Sequence, residues 1–286
     1  MINPISPSEQ LLFTTTRVQV SYADNTKGTG TASIYTVGID AGRIAPFLIT
    51  NKHLVEDEVH GEGINGKITV HLGEMKGDKL VPSDINQRIN FNNFRSQWHF
   101  HPNNNIDLCA MPIAEVLEAF KKEGKTLFYK SFHKEDLPSI SDLENLDAVE
   151  EVLMIGYPKG LYDSKNNLPL IRKGITACHP AVDFNGEKRG VVDIACFAGS
   201  SGSPIVVYSS SLRTSKDGVA KIVRPRSFYL GVLYGGPFHQ ADGSIEIRQV
   251  PTVSVPVSVT PQMIHLGYYI KSSVVDDLCR SHPGLK

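Results

Sequence analysis

The sequence predicts an all-β protein in two halves, with a helical connection between them and a short helix at the C-terminus. Three observations predict it. Short apolar runs recur between polar, glycine-rich turns, as antiparallel barrels and sandwiches require. Apolar residues fall at helical spacing in two stretches, one mid-chain and one at the end. The chain has 286 residues, 41% hydrophobic and 21% charged, a globular composition that can fill one large core or two ordinary ones.

In the first half, Val18, Val20 and Tyr22 alternate with polar neighbours, the pattern of a half-buried strand. After a turn at 24–27 come the runs GTGTASIYTV, PFLITN (46–51), KITVHL (67–72) and IDLCAMPI (106–113). IAEVLEAFKK then carries helical spacing and ends before Gly124, a helix stop; the charged segment through Asp147 reads as loop. A second strand series follows: EVLMIGYP, LIRKGITAC, GVVDIAC, SPIVVYS, SFYLGVLYGG and GYYIKSS. SSVVDDLCRS reads as a closing helix capped by Ser272 or Ser273. The expected divisions are 1–114, a connection over 115–147, and 148–286.

The charge balance excludes little but points away from polyanions. There are 29 basic and 30 acidic residues, net −1, with no block of one sign, so neither nucleic acid nor an anionic membrane is an expected partner. The start, MINPISPSEQLLF, lacks the features of a secretory signal, and no apolar run reaches the roughly 20 residues of a membrane span. Cys109, Cys178, Cys196 and Cys279 are scattered without metal-type spacing. They read as reduced thiols, which places the chain in the cytoplasm. WHFHP sets His99 and His101 two apart, but nothing accompanies them, so neither a metal nor a cofactor is expected.

The stretch Ala198-Gly199-Ser200-Ser201-Gly202-Ser203-Pro204 carries the chemistry. A serine hydroxyl attacks only when a neighbouring base takes its proton, and the oxyanion formed needs fixed N–H donors. Flanking glycines let the backbone aim such donors at one point; here they are the amides of Gly199 and Ser201. His53 follows the apolar run PFLIT, and Asp107 opens the run DLCAMPI. The order His, Asp, Ser differs from the orders of subtilisin and the α/β-hydrolases, and Ser203 breaks the hydrolase pattern G-x-S-x-G.

These segments resemble the trypsin-like serine peptidases and, within them, the bacterial HtrA-type protease domain. GTGTASI with FLITNKHLVED is similar to that group's glycine-rich and histidine strands; NIDLCAMPI, VLMIGYPKGL with RKGITAC, and DIACFAGSSGSPIVV are similar to its later motifs. LGVLYGG and LGYYIKSSVVDDL resemble its closing strands and helix, so the likeness spans about residues 11–279. It implies two six-stranded antiparallel β-barrels with His53, Asp107 and Ser201 as a triad in the cleft between them. It also implies hydrolysis of a protein or peptide substrate through an acyl-enzyme. The specificity pocket would be lined by Ala195, Cys196, Ala198, Tyr234 and Gly235, none acidic, which implies a small or medium uncharged residue before the cut.

The departures shape further expectations. Ser200 stands where enzymes activated by N-terminal insertion carry an aspartate, and Leu233 stands where a serine often supports the triad aspartate. The HtrA-type resemblance would imply a PDZ module after the last helix, and none is expected within these 286 residues. The segment 237–263, with VPTVSVPVSV at its centre, has no counterpart; covering the cleft, extending an edge and docking a partner stay open. Besides active, limited proteolysis, two alternatives remain: a silent peptide-binding scaffold, and an enzyme held latent until a partner orders the Gly199 loop.

Overall fold

The computed structural model describes residues 1–208, 212–214, 220–222, 227–240, 261–263 and 265–285. A one-turn helix, α1 (Pro7–Leu11), opens the chain, its Ser6 and Glu9 closing a capping box. The first half is then a nine-stranded antiparallel sheet. Its strands are β1 (Thr15–Tyr22), β2 (Lys27–Gly38), β3 (Ile44–Thr50), β4 (Glu56–Asp57), β5 (Gly61–Lys76), β6 (Lys79–Asn92), β7 (His99–Phe100), β8 (Cys109–Pro112) and β9 (Thr126–Phe128). The order is β4-β5-β1-β2-β3-β8-β7, with β6 and β9 also paired to β5. The alternation read in β1 is real: Val18, Val20 and Tyr22 are buried between half-buried neighbours.

Two differences from expectation lie here. This half holds nine strands, because the short β4, β7 and β9 join six longer ones, of which β5 and β6 form a long hairpin of 16 and 14 residues. β6 escapes sequence reading because KLVPSDINQRINFN is mostly polar and contains Pro82; most of its residues are exposed or half-buried. The connection is also more ordered than a loop. A one-turn helix α2 (Lys52–Val55) follows β3, and α3 (Ala114–Lys122) ends as expected before Gly124, whose φ of 70° suits a residue without Cβ. Beyond it β9 joins β5, and α4 (Ile140–Asn145) starts at a capping box of Ser139 and Asp142.

The second half closes a barrel from β10 (Glu151–Gly156), β11 (Leu170–Thr176), β12 (Arg189–Asp193) and β13 (Pro204–Tyr208), with two later strands. A separate hairpin, β14 (Leu212–Thr214) with β15 (Ala220–Ile222), precedes β16 (Ser227–Gly235), the fifth barrel strand. Another pair, β17 (Phe238–Gln240) with β18 (Pro261–Met263), precedes β19 (Leu266–Lys271), the sixth. The expected six-stranded barrel is present, in the cyclic order β10-β11-β12-β19-β16-β13. The ends of the unexplained 237–263 segment thus pair with each other, and its VPTVSVPVSV stretch lies outside the described residues.

α5 (Ser272–Arg280) closes the chain where expected, but its cap differs. Lys271 is the N-cap and makes no side-chain capping bond, while Ser272 is buried inside the first turn. Tertiary packing holds this helix instead: Val274, Val275 and Leu278 join one apolar cluster with Tyr35 and Phe47 of the first half and Tyr229 of the barrel. That shared cluster packs both halves and α5 against one another. Burial of this kind contributes about 25 cal/mol per Å² of apolar surface removed from water.

Candidate active site

The nucleophile loop between β12 and β13 is held by backbone and hydroxyl bonds from the first half. Thr31 of β2 is the hub. Its N–H donates to the Ser201 carbonyl at 2.9 Å, and its hydroxyl donates to the Gly199 carbonyl at 3.1 Å. The same hydroxyl accepts from the Tyr157 amide at 3.1 Å and from Ser203 Oγ at 3.3 Å. Gly202 has φ of 84°, and a Cβ there would sit 1.8 Å from the Thr31 carbonyl oxygen, so only glycine fits. Thr31 went unnoticed in the sequence because a threonine inside a strand carries no signal of a distant loop.

His53 and Asp107 come from the ends of adjacent paired strands. The buried run of β3 leads through Asn51 into α2, whose buried Leu54 and Val55 turn His53 toward the cleft. Asp107 lies just before β8, anchored by fully buried Leu108 and Cys109. Asn51 Nδ2 donates to the Asp107 carbonyl at 2.8 Å, and the His53 amide donates to Asp107 Oδ1 at 3.0 Å. His53 Nδ1 is 2.5 Å from Asp107 Oδ2, and His53 Nε2 is 3.0 Å from Ser201 Oγ. The three residues named from sequence are therefore brought together.

The protonation pattern follows from the partners. A carboxylate only accepts, so the proton of neutral His53 sits on Nδ1, and Nε2 presents its lone pair to the Ser201 hydroxyl. Burial opposes the charged imidazolium, but the hydrogen bond and charge of Asp107, helped by Asp57, outweigh it and hold the His53 pKa above the ordinary value. The imidazole remains 42% exposed, so solvent screens this effect.

The two amides named for an oxyanion are free. Among the described residues, neither the Gly199 nor the Ser201 N–H donates to any acceptor. The Ala198 carbonyl accepts from the Lys159 amide at 2.6 Å. A trans peptide sets its C=O and N–H on opposite sides, so this bond turns the Gly199 N–H away from Lys159. The left-handed φ values of Lys159 (51°), Gly160 (69°) and Gly199 (88°) give that turn its shape.

The residues expected to line a specificity pocket have different surroundings. Ala198 is exposed, Ala195 half-buried, and a Cβ on Gly235 would meet open space. Cys196 is buried in the barrel core, where burial pushes its thiol up to about 12, with Arg172 opposing. Leu233 is also buried in that core, bonding the nucleophile loop through its backbone: its N–H donates to the Ser203 carbonyl and its carbonyl accepts from Gly202. A register shift between Leu233 and Gly235 puts Tyr234, not Leu233, beside the cleft that Asp107 lines.

No protein-family model and no curated protein sequence matches the chain. Solved structures do. A mutant of the tobacco etch virus protease superposes with a TM-score of 0.50 at 11% identity, covering 100% of this chain and 86% of that one. The HtrA-type protease AlgW gives 0.47 at 11% identity, over 96% of this chain and 61% of that one. The active form of the Rv3671c protease from M. tuberculosis gives 0.42 at 12% identity, over 98% and 87%. At such identities the likeness concerns the fold, and that fold is the chymotrypsin type.

Proposed function

We propose that this chain is a serine endopeptidase that cleaves protein substrates through an acyl-enzyme on Ser201. One observation carries the reading: a single imidazole spans an alcohol at 3.0 Å and a carboxylate at 2.5 Å, beside two unengaged amides. In the proposed cycle Ser201 Oγ attacks the scissile carbonyl as its proton passes to His53 Nε2. The Gly199 and Ser201 amides take the oxyanion, and Asp107 stabilises the imidazolium. His53 then protonates the leaving amine, and water deacylates the serine by the reverse proton path.

Limited, regulatory proteolysis is the proposed use, in a reducing compartment such as the cytoplasm. The four cysteines, all free thiols, suit such a setting. The test is hydrolysis of an unstructured casein-type substrate by the wild type and by Ser201→Ala. Loss of the triad serine costs on the order of 10⁶ in kcat in subtilisin, and a drop of that order is expected here. Equal turnover by both proteins would reject the reading and favour a binding scaffold.

A further inference from the structure

A cleft of about 300 Å³ opens on the Asp107 side of the triad. Asn103, Asn105 and Ile106 line it from the first half, and Arg189, Tyr234 and Ile270 from the barrel. Asp107 is part of its wall while holding His53, which in turn touches Ser201. An extended peptide advances about 3.3 Å per residue, so with its scissile carbonyl at Ser201 it reaches this cleft roughly two to four residues away.

Arg189 is the best-held charge in the cleft. Its Nη1 donates to Tyr234 Oη at 3.1 Å. Its guanidinium lies 5.8 Å from the Phe184 ring centroid and 5.5 Å from that of Tyr268, which itself stacks on Tyr234. The side chain is only 24% exposed. Its Nε is buried and makes no hydrogen bond among the described residues, although Glu187 Oε2 stands 3.2 Å away. The other charges facing the cleft are weaker claimants. Lys188 is 65% exposed and paired with Asp183, Glu187 is 64% exposed and pairs with Arg189 from the solvent side, and Asp107 is turned to His53. Aromatic rings and the Tyr234 hydroxyl fix this guanidinium in place, and its remaining Nη hydrogens are the donors left for a carboxylate.

We infer that Arg189, positioned by Tyr234, makes this peptidase select substrates with an acidic side chain two to four residues from the cleaved bond. The inference rests on the peptidase reading and adds a substrate class to it. Ile106 and Ile270 would pack the methylene groups of that side chain, and Asn103 and Asn105 would bind the free edge of its carboxylate.

The test is a panel of internally quenched peptides that differ only at one position, carrying Glu, Gln or Lys at each of the four sites on either side of the cut. For the wild type, the ratio of kcat/KM for Glu over Gln should reach about tenfold at one position two to four residues from the cut, the size of a charge-assisted bond; an advantage confined to the sites flanking the cut counts against the inference. Arg189→Gln should bring that ratio to about one, and Arg189→Glu should invert it in favour of Lys. Each ratio is taken within one preparation, so partial loss of folded enzyme cancels. Tyr234→Phe should lower the ratio without abolishing it. Cleavage with no advantage for Glu, or an advantage that survives Arg189→Gln, overturns the inference and leaves the peptidase standing. No cleavage of any peptide by the wild type overturns both.

Discussion

His53 sits between two demands, and its neighbours decide how they balance. Burial favours the neutral base, while Asp107 favours the cation and prevails. The acid limb of kcat/KM should therefore lie above the ordinary imidazole value, because the base must be neutral to take the Ser201 proton. Stability runs the other way: the pairing contributes below the unfolded-state pKa and is lost as pH rises through the raised folded value. In Asp107→Asn the burial is opposed only by the more distant Asp57, so the limb should move to lower pH. Its rate should fall about 10⁴-fold, as in the corresponding trypsin variant. A pH–rate profile checks both, and a limb that stays put in Asp107→Asn would mean that Asp107 does not set the histidine. At this scale the sequence was most legible, because triad chemistry demands particular residue types in a readable order. Thr31 and Lys159 were not legible, since what they supply to the site is a backbone amide or an ordinary hydroxyl.

Among the elements, α5 depends most on distant partners. Its Asp276 is 3% exposed and accepts from Tyr35 Oη at 2.8 Å, Lys134 Nζ at 2.7 Å and Arg280 Nε at 3.0 Å. Burial alone would raise the Asp276 carboxyl, but Lys134, Tyr35 and Arg280 hold it below the usual carboxylate range. One side chain thus ties α5 to β2 and to the connection. Asp276→Ala leaves the Tyr35 hydroxyl buried without its acceptor, and should cost about 3 kcal/mol in a denaturant titration. The wild-type advantage should be full above the ordinary carboxylate pKa and fade as pH falls through the lowered folded value. A cost under 0.5 kcal/mol at neutral pH would show that the apolar cluster alone holds the helix. The caps explain what reading by element missed. Ser272 looks like a cap from its place before an apolar run, yet packing buries it inside the helix. The Ser139–Asp142 box sits in a charged stretch whose helix is only six residues long, too short to show periodicity.

For the whole molecule, the two halves fit as one unit because the site is shared: His53 and Asp107 ride on the nine-stranded sheet, Ser201 on the barrel, and Thr31 bonds across the seam. The barrel was readable strand by strand, since its apolar runs are compact and bounded by glycine, proline or polar turns. The first half was only partly so, because the β5–β6 hairpin extends into polar sequence that pairing, not burial, makes a strand. Cleft chemistry was the least legible feature: Arg189 and Tyr234 are distant in sequence and meet only when the barrel closes, and Asp107 joins them only through the docking of the halves. Docking of the halves arms one serine out of many. Treatment of the folded protein with a fluorophosphonate probe, followed by peptide mass spectrometry, tests it directly. One adduct is expected, on Ser201, lost on unfolding and strongly reduced in His53→Ala; an unmodified Ser201 under conditions that label a control serine peptidase would mean that the serine is not armed.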